Sequence, residues 1–198
     1  MPTNIVELNG RAVRASIAVV ERVQLEELVA PTPCAEWTLG ALLSHLTAQH
    51  RGFAAAAGGR GGETEVWREL PLGPDPVADY RKAAEAVLTA FAEDGVLDRG
   101  FLLPEIVPDQ PFPADIAIGF HTVDYVVHTW DVARSIGVEV AFDQELLDVT
   151  AAITAMVPNG PERLRPGASF RPALAASDGG GELDRILAAL GRSPRWPN

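Results

Sequence analysis

The chain has one cysteine, Cys34, so it can close no internal disulfide and must rely on packing. A lone thiol suits a reducing compartment, and a cytoplasmic setting is expected. Basic residues are few: 16 Lys and Arg stand against 27 Asp and Glu, a formal charge of −11 at pH 7. Such a balance argues against nucleic acid as a partner, because phosphate binding needs a basic surface. No apolar run approaches the roughly 18–20 residues of a membrane span, so no membrane partner is expected. The opening residues Met1 to Leu8 lack a basic stretch followed by an apolar one, and so read as no secretion signal. Alternating strand patterns are scarce and no internal repeat is visible. Also missing are a His-Glu-x-x-His zinc motif, a paired-cysteine motif and a Gly-x-Ser-x-Gly elbow. No dinucleotide fingerprint follows a strand. The run Gly58 to Gly62 lacks the Lys-Ser/Thr ending of a phosphate loop and reads as a flexible connection.

What remains is helical. The 198 residues suffice for one substantial core, and a single domain over 1–198 is expected. Val6, Val13, Ile17, Val20 and Leu28 recur at helical spacing and predict a first helix from about Asn4 to Val29, ended by Pro31 and Pro33. Thr38 is the expected N-cap of a second, carrying Leu39, Leu42, Leu43 and Leu46 and broken at Gly58. A third spans about Pro76 to Ala92, and a fourth about Ala114 to Ile136, stopped by Gly137. Asp143 caps a fifth, about Gln144 to Met156, and Glu182 to Leu190 forms a short last helix. Residues 94–113 read as irregular. The segment 164–176 is a candidate strand or extended crossing inside a Pro- and Gly-rich excursion. The expected architecture is an all-α, four-helix bundle with a decorated C-terminal segment.

The fourth helix carries the chemistry. His121, Asp124 and His128 are spaced three and four apart. At about 3.6 residues per turn they share one helix face. They lie among Val123, Tyr125, Val126 and Val127, and ionisable groups in an apolar run must be paired, coordinated or functional. An acid and two imidazoles on one stripe are a donor set for a divalent transition metal. The plainer alternative is an i,i+4 charged pair between Asp124 and His128. On the second helix His45 sits among Leu42, Leu43 and Leu46. Bundle metal sites are built from inward side chains of facing helices, so His45 can complete a site with Asp124 and His128. Three ligands leave a position open, which is the catalytic type. His121 can be a ligand, a partner behind a ligand, or a pocket wall, and is the candidate proton carrier. His50, five after His45, points away from such a site on a regular helix. Asp131 and Arg134 read as an ion pair, Trp37 and Trp130 as core anchors, and Cys34 as a small buried apolar residue.

Two stretches carry a resemblance. Pro33-Cys34-Ala35-Glu36-Trp37-Thr38 leads to His45, and Asp124-Tyr125-Val126-Val127-His128-Thr129-Trp130-Asp131-Val132-Ala133-Arg134 closes the fourth helix. Together they resemble the DinB-like superfamily, and within it the actinobacterial branch with the metal-binding domain of mycothiol-dependent maleylpyruvate isomerase, and the similarity extends in pattern over most of the chain, including the closing stretch Asp184 to Arg192. The resemblance implies a four-helix bundle holding a divalent metal, zinc or nickel above all. It implies His45, Asp124 and His128 as ligands, with Asp124 standing where the family often has Glu or His. Low-molecular-weight thiols such as mycothiol serve as cosubstrates in the family. Only about sixty residues follow the fourth helix, so no counterpart of the isomerase's separate C-terminal domain is expected and its specific reaction is not implied.

The expected function is thus a metal-dependent thiol transferase or isomerase acting on a small electrophile, with pairing into a homodimer possible. Two other readings stay open: a non-catalytic bundle that binds a small ligand, and a hydrolase using metal-bound hydroxide.

Overall fold

The computed structural model describes residues 4–34, 37–165, 168–175 and 179–197. Six α-helices and one hairpin are formed among them. They are α1 (Ile5–Val20), α2 (Leu39–Ala57), α3 (Pro76–Phe91), β1 (Gly100–Leu103), β2 (Val107–Pro113), α4 (Ala114–Ser135), α5 (Gln144–Thr154) and α6 (Glu182–Ala189). The first four helices make the DinB-like bundle, with α1 packed closely on α4 and α2 on α3.

Local chemistry starts the helices where the sequence places them. Asn4 Oδ1 accepts from the Val6 and Glu7 amides, Thr38 Oγ1 from Ala41, Asp75 from Ala78 and Asp143 from Leu146. Each side chain satisfies amides that the first turn leaves free. Pro76 adds a preset φ at the start of α3.

Two expectations need correction, and a third is narrowed. The first helix stops at Val20, and a separate 3₁₀ turn spans Leu25–Val29. There the Gln24 amide donates to Glu27 Oε2 at 2.8 Å, a local cap that competes with continued α-helix. Residues 100–113 form a hairpin, with Phe101 opposite Phe112 and Leu103 opposite Val107. Prolines 108, 111 and 113 hid it, yet a two-stranded hairpin has only edge strands, where proline is tolerated. Residues 164–165 and 168–175 hold no strand, and the rest of that candidate, 166–167 and 176, lies outside the described residues.

The core is layered. Near the start of α2, Leu39, Leu42, Leu43 and Leu46 pack with Leu8, Val13, Tyr80 and Tyr125. Toward its end, Phe53 and Trp67 meet Phe91, Phe101 and Ile118 beneath the hairpin. Gly52 makes this second layer possible, because a Cβ there would lie 2.1 Å from the Trp67 ring. A third cluster docks Ile186, Leu187 and Leu190 of the α6 region onto Val123, Val127 and Trp130 of α4. No helix among the described residues is long and apolar enough to cross a membrane.

Candidate metal centre

Helices α2 and α4 carry all four histidines, two apiece. Packing sorts them into two unlike pairs.

The first pair is His45 and His128, whose rings lie 5.7 Å apart edge to face. Trp37 lies against both, at 4.6 Å from His45 and 6.2 Å from His128. One ligand atom from each of His45, Asp124 and His128 falls within 4.8 Å of the others. Asp124 Oδ1 is 3.3 Å from His128 Nε2, so the short acid reaches the group. Both imidazoles are tied at the opposite nitrogen. His45 Nδ1 meets Glu69 Oε1 at 2.9 Å, and His128 Nδ1 meets Asp131 Oδ2 at 2.8 Å. That leaves Nε2 of each ring for a cation, the pattern in which a carboxylate behind a histidine fixes its tautomer and orientation. The group sits at the boundary of the bundle: Asp124 is 25% exposed, His45 18% and His128 7%.

Electrostatics reinforce the arrangement. Burial pushes the Asp124 carboxyl up, but the neighbouring His128 and His45 outweigh it and hold it at about 2. Burial pulls His128 down, yet Asp124 and Asp131 together carry it well above the ordinary imidazole value. Two nitrogens and one carboxylate oxygen are a donor set suited to zinc, nickel or iron, and the residues present fit such an ion.

Cys34, His128 and Asp131 form a second cluster with metal-ligand atoms. Its chemistry differs. Arg192 donates from Nε to Asp131 Oδ2 at 3.0 Å and from Nη2 to Cys34 Sγ at 3.3 Å. The Cys34 thiol in turn donates to Asp131 Oδ2 at 3.2 Å. A guanidinium already occupies the place of the cation, and a divalent ion beside it would be repelled. Cys34 and Asp131 also approach the same ring nitrogen of His128, at 3.9 and 2.8 Å. A Cys–His–Asp relay needs them on opposite nitrogens, so the cluster is no such relay.

The second histidine pair lies deeper. His50 and His121 are both fully buried, with His50 Nδ1 3.2 Å from His121 Nε2. The Asn9 side-chain amide reaches His121 Nδ1 at 2.8 Å and Thr122 Oγ1 at 3.1 Å. Thr122 Oγ1 donates to Ile118 O, so it accepts from Asn9, and Asn9 therefore donates to His121 as well. His121 then carries its proton on Nε2 and donates it in a hydrogen bond to His50 Nδ1. Tyr125 stacks on His50 at 3.9 Å, and Phe53 and Phe91 close on His121. Burial pulls His121 down to about 3, and burial with the neighbouring His121 pulls His50 well below its ordinary value. Both rings are neutral at physiological pH.

The structure thus brings His45, Asp124 and His128 together and leaves His121 out of the group. Proton transfer by His121 at the cation finds no support in this geometry. His50 points away from the site, as expected, and its partner is His121. Asp131 does not pair with Arg134. Arg134 donates to Trp196 O, and Asp131 pairs with His128 and Arg192. Nor is Cys34 apolar in its contacts. The sequence signal for Asp131 was present, since His128 and Asp131 lie three apart on α4. Glu69 gave none, and Arg192, though it closes the resembling stretch Asp184 to Arg192, gave no sign of its partner, because both arrive from distant segments.

Residues 10–133 match the family described as mycothiol maleylpyruvate isomerase N-terminal domain. Two uncharacterized proteins from Mycobacterium tuberculosis strains CDC 1551 and H37Rv are each 33% identical over 194 residues. Each alignment covers 93% of this chain and 96% of the relative. No solved structure gives a significant match.

Proposed function

The chain belongs to the family of the mycothiol maleylpyruvate isomerase N-terminal domain, and from that premise we propose a metal-dependent thiol transferase or isomerase. His45, Asp124 and His128 are the ligands in this reading, and zinc or nickel is the metal. The small substrate is an electrophile, and mycothiol is the cosubstrate. One observation carries the reading: three donors within 4.8 Å, with both imidazoles tied at Nδ1 to carboxylates.

When bound, the cation supplies Lewis acidity that favours a thiolate, the reactive form of a thiol, near neutral pH. The protein supplies the rest. Glu69 and Asp131 hold the two rings with Nε2 turned to the shared space. Asp124 contributes negative charge that draws the cation in. Trp37 lies across both imidazoles, shields one side of the group, and offers an apolar wall to the body of a small substrate. The partial exposure of Asp124 and His45 supports entry from that boundary. His121, hydrogen-bonded to Asn9 and His50, is given no role in this reading.

Zinc-loaded protein incubated with mycothiol and a panel of electrophilic acceptors tests the proposal. Loss of free thiol that disappears in His128→Ala is the expected result. No thiol consumption across the panel would remove the transferase reading, and turnover without thiol would point to hydrolysis instead.

A further inference from the structure

The family match ends at residue 133, but the side chains around His128 do not. Arg192 comes from 61 positions beyond Asp131 and is itself buried. We propose that Asp131, pinned by Arg192, is the positioning residue of His128, so that the C-terminal segment outside the family domain completes the candidate cation site. The proposal rests on reading His45, Asp124 and His128 as a metal centre.

Three observations support it. First, one carboxylate receives three donors, from His128 Nδ1, Arg192 Nε and the Cys34 thiol, and it is fully buried. All three converge on Oδ2, and Arg192 Nε also reaches Oδ1 at 3.2 Å, which anchors Asp131 and, through it, the ring it holds. Second, the place of Arg192 is fixed by packing. Ile186, Leu187 and Leu190 dock on α4, and Gly191 then turns the chain at a φ of +78°. A Cβ at Gly191 would lie 2.7 Å from the Arg171 carbonyl oxygen, so only glycine fits the turn that sends Arg192 inward. Third, a buried ion pair adds little net stability over apolar residues of the same shape. Fold stability therefore gives no reason for this pair, whereas the orientation of a ligand does. The order of causes runs from α6 docking to Arg192, then to Asp131, then to His128.

The test uses the full chain with zinc as the probe. Asp131→Leu/Arg192→Leu removes acceptor and cation together and leaves no unpaired buried charge. Asp131→Asn keeps a weaker, neutral acceptor. Two readouts are followed: zinc affinity by chelator competition, and the His128 Nδ1–H proton by NMR. In the wild type that proton should be a downfield resonance in slow exchange with water. It should vanish in the double variant, with zinc affinity reduced about 10–100-fold and helical content kept. Asp131→Asn should fall between, and it decides by the same readouts if the double variant does not fold. A surviving resonance, or zinc affinity within about twofold of wild type in a folded variant, overturns the proposal. If the wild type binds no zinc but the resonance is present and depends on Asp131, the metal reading fails and the positioning of His128 stands.

Discussion

His45 and His128 share their two helices with His50 and His121, yet the two pairs have opposite surroundings. The outer pair is flanked by Glu69, Asp124 and Asp131 and opens toward solvent. The inner pair meets Asn9, Thr122, Tyr125 and aromatic rings, with no carboxylate in hydrogen-bond contact among the described residues. An imidazole beside carboxylates keeps a charge or attracts a cation, and one wrapped in apolar rings stays neutral. The same residue type on the same helix is therefore a candidate ligand at one depth and a core hydrogen-bonding group at another.

The sharpest way to break this contrast is to remove one member of each pair. His128→Ala should weaken zinc binding by more than about 100-fold, beyond the usual loss for a residue behind a ligand. His121→Ala should leave zinc affinity within about threefold but lower stability by about 2–4 kcal/mol, since it opens a cavity and strands Asn9 and His50. Chelator competition and denaturant melts on both variants read this directly. If His121→Ala abolishes zinc binding in a folded protein, the division between the pairs is lost.

A pH titration below about 6.5 probes the inner pair, because His128, held well above its ordinary value, is charged there whether folded or unfolded. His121 is held at about 3 and His50 well below its ordinary value, against 6.5 for an unfolded imidazole. The unfolded chain therefore binds protons that the folded one refuses. Stability from these two groups is complete above pH 6.5 and is lost as pH falls toward 3. Each contributes a slope of up to about 1.4 kcal/mol per pH unit. Urea melts between pH 7 and pH 4.5 should show the decline, and His50→Gln/His121→Gln should flatten it. An equal slope in that variant would assign the acid sensitivity to other groups.

The smallest expected effect lies within the outer pair. Glu69 is about half exposed while Asp131 is fully buried. Solvent screens the first contact, so Glu69→Gln should reduce zinc affinity by less than about fivefold, and added salt should shrink the difference. A loss as large as that in Asp131→Leu/Arg192→Leu would make the two carboxylates equivalent.

Much of this was legible in residue order. Spacing of Val13, Ile17 and Val20, the caps at Thr38 and Asp143, and Gly137 at a φ of +68° set where helices run and stop. The hairpin was hidden because its prolines contradict a generic strand, and only its edge position permits them. His121 was grouped with Asp124 and His128 because all three share a face of α4. Sharing a face is not sharing a depth: seven residues separate His121 from His128, a rise of about 10 Å along the axis. Helical periodicity gives the angle around α4, and neighbouring helices decide what waits at each level.

The order of residues by itself determined six helices, the Asp124–His128 pair on one turn, and the family to which the chain belongs. Tertiary structure alone decided which histidines meet a carboxylate, and that Arg192 closes on Asp131 from 61 residues away. The physical reason is range. Hydrogen bonds and dihedral preferences within a turn act between neighbours, while ion pairs and burial act between whatever the packed core brings together.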